Sequence, residues 1–192
     1  MWEERSPAEE YTTEEKISPV FVGVTAAMYT AVTLALPFLA YMPQQIRISD
    51  AMLILPFHKR FGKSALIGLT IGGFFANLAS PFLPWDLIVG PIANFLACFT
   101  VYILGIIARR TWGSPQDTML PFLSIALVGS IIGSALIAVI VGYELVIMIS
   151  GEFLWIEYIG FVVSVFIGEL IAFTACGVAL LAMIYRSFPE TY

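Results

Sequence analysis

Pro43-Gln44-Gln45-Ile46-Arg47-Ile48-Ser49-Asp50 is followed at once by Ala51-Met52-Leu53-Ile54-Leu55-Pro56-Phe57 and then by His58, Lys59 and Arg60. A polar stretch stands between the hydrophobic run 17–41 and an apolar run too short for an ordinary membrane span. Polar groups set that close to hydrocarbon are costly to keep, which makes them functional candidates. The short run is either a distorted crossing or a re-entrant loop. The basic residues beyond it decide, because cytoplasmic loops carry an excess of Lys and Arg. If it crosses, the spans fall near 17–41, 50–58, 63–80, 86–108, 118–142 and 154–185. Arg5, Lys16, Lys59, Arg60, Lys63, Arg109, Arg110 and Arg186 then share one side, with Arg47 alone opposite. Re-entry splits those charges. The sequence therefore predicts an all-α integral membrane protein of six transmembrane helices, short second helix included, with both termini cytoplasmic. Bilayer thinning and snorkelling of Lys59 help the short span.

Composition agrees. Of 192 residues, 59% are hydrophobic and 12% charged, and the mean hydropathy of +0.91 excludes a soluble domain. At about 20 residues per span, no length remains for a soluble catalytic domain. The net charge of −5 comes largely from Glu3, Glu4, Glu9, Glu10, Glu14 and Glu15. Residues 1–16 thus read as a disordered acidic cytoplasmic tail without the features of a cleavable signal. The transmembrane domain is expected over 17–187, with a tail at 188–192. Cys98 and Cys176 lie in apolar runs and read as small core residues.

Opposite the basic side the topology places Arg47, Asp50, Asp86, Glu144, Glu152 and Glu157, a mostly acidic outer face. Asp86, Gly90 and Asn94 at i, i+4 and i+8 line one face of span four, predicting a polar groove about 12 Å deep. Asn77 stands one short loop from Asp86. Glu169 lies roughly 18 Å along span six from Glu157, where a carboxylate needs a partner, a proton or a ligand. Asn77 and Asn94 either hydrogen-bond between helices or present amides to a ligand. Arg47 and Asp50 either neutralise one another, with Ser49 or Asp50 capping span two, or belong to a site. Trp85, Phe38, Tyr41 and Trp155 fit an aromatic belt. Gly68 and Gly72, and Gly129 and Gly133, permit close helix contact.

Enzyme signals fail. Gly62-Lys63-Ser64 resembles the end of a phosphate-binding loop, but Phe57 holds the leading glycine's place. His58, the single histidine, reads as a solvated helix end, so no metal site is expected. Counted together, Arg47 opposes Asp50, Asp86 and Glu169, an acidic set that favours a neutral or cationic ligand. Carboxylates and amides suit a flat heterocycle with adjacent N–H and carbonyl groups, on which Trp85 or Tyr41 could stack.

Ala27-Met28-Tyr29-Thr30-Ala31, Gln45-Ile46-Arg47-Ile48-Ser49-Asp50-Ala51, Asn77 and Asp86-Leu87-Ile88-Val89-Gly90 together resemble the QueT family over most of residues 20–108. That family comprises substrate-binding S components of energy-coupling factor (ECF) transporters, assigned to queuosine precursors. The resemblance implies a six-helix subunit in a prokaryotic plasma membrane that takes a 7-deazapurine (preQ1, preQ0 or queuine) from outside. A transmembrane coupling protein and two ATPases would complete the importer, the subunit toppling in the bilayer to release its ligand. ATP would be used by those partners; no cofactor of this chain and no nucleic acid are implied. Ala27 and Ala31 match the alanine motif by which such subunits dock on the coupling protein. The substrate-binding set is then Gln45, Arg47, Asp50, Asn77, Trp85, Asp86, Asn94 and Glu169. Asp50 departs from the glutamate common at its position. The competing readings are an S component for another vitamin, a stand-alone proton-coupled carrier of a small heterocycle working through Glu169, and a non-transporting scaffold subunit.

Overall fold

A computed structural model describes residues 16–42, 46–113 and 119–188. Among them every regular element is helical. In chain order these are α1 (Pro19–Ala35), α2 (Pro37–Ala40), a 3-10 helix (Ile48–Phe57), α3 (Gly62–Asn77), α4 (Asp86–Trp112) and α5 (Met119–Ser150). The last pass is one continuous rod of α6 (Trp155–Glu169), a π-helical segment (Leu170–Cys176) and α7 (Gly177–Ser187).

Local chemistry sets the boundaries. Ser18 caps α1 by accepting from the Phe21 amide, and Pro19 fills a first-turn position that needs no donor. Pro37 drives Leu36 out of helical geometry and divides the predicted first span into α1 and α2. In α4 the acidic Asp86 opens the helix and Arg109 and Arg110 close it, both matching its dipole. Three helices are long and apolar enough to cross a membrane, of 27, 32 and 33 residues. Pro19–Ala35 and Ile48–Phe57 are shorter apolar helices.

The 3-10 helix is the hub. It touches α1, α3, α4, α5, α7 and the π segment, and Met52 through Phe57 are all buried. A helix apolar on every side belongs in an interior. Pro56 has no amide to donate and would clash with the preceding turn of an α-helix. Ten residues wound as 3-10 rise about 2 Å each, roughly 20 Å in all, against about 15 Å as α-helix. The short run thereby extends through the bundle.

Contacts at its two ends fix the direction. At one end Arg109 Nη1 donates to the Phe57 carbonyl at 2.5 Å, and the Ser18 amide donates to Ser64 Oγ at 2.9 Å. At the other, Tyr41 Oη donates to the Ala76 carbonyl at 2.6 Å and Arg47 Nε to the Ala40 carbonyl at 3.1 Å. The two ends of the 3-10 helix are thus held by separate sets of contacts. Sequential neighbours pack together, α3 on α1 and on α4, α5 on α4, and α6 on α5. Gly68 and Gly72 allow the first contact, since a Cβ at Gly68 would lie 2.0 Å from Thr25 Oγ1 and one at Gly72 2.9 Å from the Ala26 carbonyl oxygen. Large apolar side chains including Val20, Phe38, Ile88, Leu120 and Ile156 point outward, as the surface of a membrane protein requires.

Several sequence expectations are corrected here. His58 is not solvated but 1% exposed, its ring 4.8 Å from that of Tyr185 and its Nε2 3.3 Å from the Phe188 carbonyl oxygen. Cys98 is in the core, whereas Cys176 is exposed. Arg47, rather than Ser49 or Asp50, holds the N-cap position of the 3-10 helix and makes no side-chain cap bond. The helix expected to end near 142 continues to Ser150, so Glu144 is a buried helical residue. The acidic tail lies almost wholly outside the described residues.

Candidate functional site

Along α1, Thr25, Tyr29 and Thr33 repeat every four residues and turn one buried polar stripe inward. The fully buried phenol of Tyr29 donates to Asp50 Oδ1 at 2.5 Å. One turn on, Thr33 Oγ1 lies within hydrogen-bonding distance of both the Tyr29 carbonyl oxygen, at 2.8 Å, and Ser49 Oγ, at 2.7 Å. α1 thereby grips the start of the 3-10 helix through two adjacent side chains. On its other flank the Asp50 carboxyl is in hydrogen-bonding contact with Glu169. Glu169 is 2% exposed, its Oε2 has no partner, and the π-helical segment begins at the next residue. Single π turns recur at functional sites because they re-aim side chains within a helix. Asn94 reaches the Tyr29 side chain and donates to the Leu69 carbonyl at 3.5 Å.

A second cluster sits at the N-terminus of α4. Asn77 Nδ2 donates to the Asp86 backbone carbonyl at 2.8 Å, and the Asp86 carboxylate accepts from the Ser80 hydroxyl. Asn77 and Asp86 therefore converge, but through the backbone of Asp86. Gly90 makes room for this, because a Cβ there would lie 2.0 Å from Asn77 Nδ2. The expected groove along Asp86, Gly90 and Asn94 is occupied at Gly90 by that amide. Glu144 faces the Asp86 carboxyl from α5.

Arg47 links the two clusters. It is buried and lies in the field of Tyr29, Asp50, Asp86 and Glu169, and Glu144 feels it as well. One guanidinium thus lies within electrostatic range of four carboxyls, an acid-rich arrangement that attracts cations and donor-rich groups. Its plane also lies 5.9 Å from the centroid of the Tyr41 ring.

The structure therefore brings Arg47, Asp50, Asn94 and Glu169 together in the interior and pairs Asn77 with Asp86 beside them. Trp85 is exposed at the rim, lining a cavity with Glu144. Gln45 lies outside the described residues. Ala27 and Ala31 are apart from all of these, exposed along a shallow apolar groove between α1 and α3. Tyr29, Ser80 and Glu144 escaped the sequence reading. The i+4 polar stripe 25-29-33 was the available signal for Tyr29, and the apolar run 145–149 beyond Glu144 for its burial. Among the described residues no three His, Cys, Asp or Glu side chains gather as metal ligands.

The family model described as QueT transporter matches residues 20–186. No curated protein matches the chain and no solved structure does.

Proposed function

The chain belongs to the QueT transporter family, and on that premise we propose that it is the substrate-specific membrane subunit of an ECF-type importer. In this reading the chain crosses the plasma membrane of a prokaryote six times, with both termini cytoplasmic. The Arg47 end faces outward and takes up a queuosine precursor of the 7-deazaguanine class, preQ1, preQ0 or queuine. A transmembrane coupling protein and two ATPases complete the machine and consume the ATP.

The observation that carries this reading is the buried set of Arg47, Asp50 and Glu169, held by Tyr29 in a chain otherwise built of apolar helices. Buried ionisable groups inside a membrane protein are seldom there for packing alone. Carboxyls accept from adjacent ring N–H groups and the guanidinium donates to a ring carbonyl, which matches the edge of a 7-deazaguanine. The shallow groove bearing Ala27 and Ala31 suits a helix of the coupling protein, because small side chains let backbones approach closely. The test is thermal denaturation of the detergent-purified chain with micromolar preQ1, preQ0 and queuine. Binding to the folded state alone must raise Tm. Absence of a shift with every one of them would remove the substrate assignment.

The contact between the Asp50 and Glu169 carboxyls favours one second reading, a proton-coupled carrier that needs no partner. Reconstitution separates the two. Uptake by this chain alone, abolished by Glu169→Gln and by collapse of the proton gradient, is the carrier's signature.

A further inference from the structure

A cavity of about 590 Å³ opens between α4, α5 and α6, lined by Trp85, Val89, Tyr143, Glu144, Ile147 and Tyr158 among others. Pockets for small molecules run to roughly 300–1,000 Å³, with mostly apolar walls and a few convergent polar groups. Here the acid in the wall is Glu144. Its side chain is 5% exposed, neither oxygen accepts from an N–H or hydroxyl group of the described residues, and its hydrogen-bonding contact is with another carboxyl. The group across from it is a second carboxyl, Asp86, already engaged by the Ser80 hydroxyl.

A carboxylate accepts and does not donate. This face of the cavity therefore presents, at Glu144, acceptors answered only by another carboxyl. A buried acceptor without a donor costs about 1–3 kcal/mol, and more when charged. A lipid tail would fill the volume and leave that deficit standing; an ammonium group removes it. Trp85, Tyr143 and Tyr158 supply aromatic faces on which a flat ring stacks or a cation rests.

We propose that this cavity binds a flat aromatic ligand through a primary ammonium group, with Glu144 as its counter-ion and Trp85, Tyr143 and Tyr158 as its stacking walls. The inference rests on the substrate-binding reading above and adds, at the rim where Trp85 stands, a second position for the ligand that selects an amine-bearing ring over the same ring without the amine. Glu144 is then a specificity-determining residue, and Asp86 strengthens its field without needing to touch the ligand.

The experiment is isothermal titration of the full chain in detergent with two matched pairs, preQ1 against preQ0 and benzylamine against benzyl alcohol. In the wild type the amine of each pair binds at least about tenfold more tightly, the scale of a desolvated charge pair. Glu144→Gln, similar in shape, erases that preference. Ile147→Trp fills the cavity and weakens both members of each pair. An amine preference that survives Glu144→Gln, or a wild type without preference in either pair, overturns the proposal. So does a co-purified phospholipid that amines fail to displace. If neither deazaguanine binds but benzylamine discrimination still depends on Glu144, the cavity assignment stands and the queuosine-precursor reading falls. Should Glu144→Gln fail to fold, unchanged amine binding in Ile147→Trp overturns the proposal instead.

Discussion

Tyr29 and Asp50 are joined by a hydrogen bond of 2.5 Å from the phenol to Oδ1, in a part of the bundle where neither side chain is accessible. It ties the middle of α1 to the first turn of the central 3-10 helix. Everything proposed for the interior cluster depends on the aim of that carboxyl.

Tyr29→Phe deletes the donor and leaves the acceptor buried, a change that costs about 1–3 kcal/mol. Thermal denaturation should show Tm falling. A double-mutant cycle with Asp50→Asn should show coupling of at least about 0.5 kcal/mol. Additive effects would mean that the bond contributes nothing to stability.

Arg47→Met removes the one guanidinium whose field reaches four carboxyls. Breaking a buried charge set by taking away one partner typically costs about 3–5 kcal/mol, so the variant should be poorly folded or markedly less stable in detergent. Arg47→Lys should recover much of the loss, since it restores the charge but not the guanidinium's bond to the Ala40 carbonyl. A Met variant as stable as the wild type would show that the carboxyls do not need the cation.

Gly90→Ala drives a methyl group into Asn77 Nδ2 and should displace it from the Asp86 carbonyl. Overpacking of this kind costs about 1–3 kcal/mol. Pairing it with Asn77→Ala removes the obstacle, and Tm should recover part of the way. If Gly90→Ala alone is neutral, the amide does not fill the groove.

Glu169→Ala should weaken binding of the deazaguanine that stabilises the wild type by at least about tenfold, as loss of a buried charged partner does. Titration calorimetry reads this directly. Affinity within about twofold of wild type would place the ligand elsewhere.

Ala27→Trp and Ala31→Trp add bulk to the exposed groove between α1 and α3, remote from both polar clusters. Co-purification with the coupling protein should be lost while the ligand-induced rise in Tm persists. Retained co-purification would move the docking face away from α1.

Much of this was legible in the chain because charge and hydropathy act through position alone. The all-helical, apolar build was plain from the hydropathy, and every regular element among the described residues is a helix. The winding of the short run 51–57 was not legible. Its apolar composition suits any buried helix, and only the packing of neighbours on all sides reveals a 3-10 rise. The end of α5 was placed too early because a charge is the usual sign that a span has ended, whereas here the apolar residues 145–149 keep the helix going past Glu144. His58 was misjudged for a related reason: its neighbours Lys59 and Arg60 are exposed, but its own ring turns inward against Tyr185. Tyr29 stands 21 residues from Asp50 in the chain, and only the folded bundle brings its phenol to that carboxyl.

The 3-10 helix also works as a gauge. Arg109 clamps its Phe57 end, while Tyr29 and Thr33 receive its Asp50 end, so the number of residues between those anchors is fixed by two independent fittings. At three residues per turn, one residue added or removed turns Asp50 by about 120° and shifts it by about 2 Å. The carboxyl would then miss both Tyr29 and Glu169. Exchanging one apolar side chain for another of similar size along 51–57 leaves that spacing intact, so the segment tolerates a change of letters far better than a change of length.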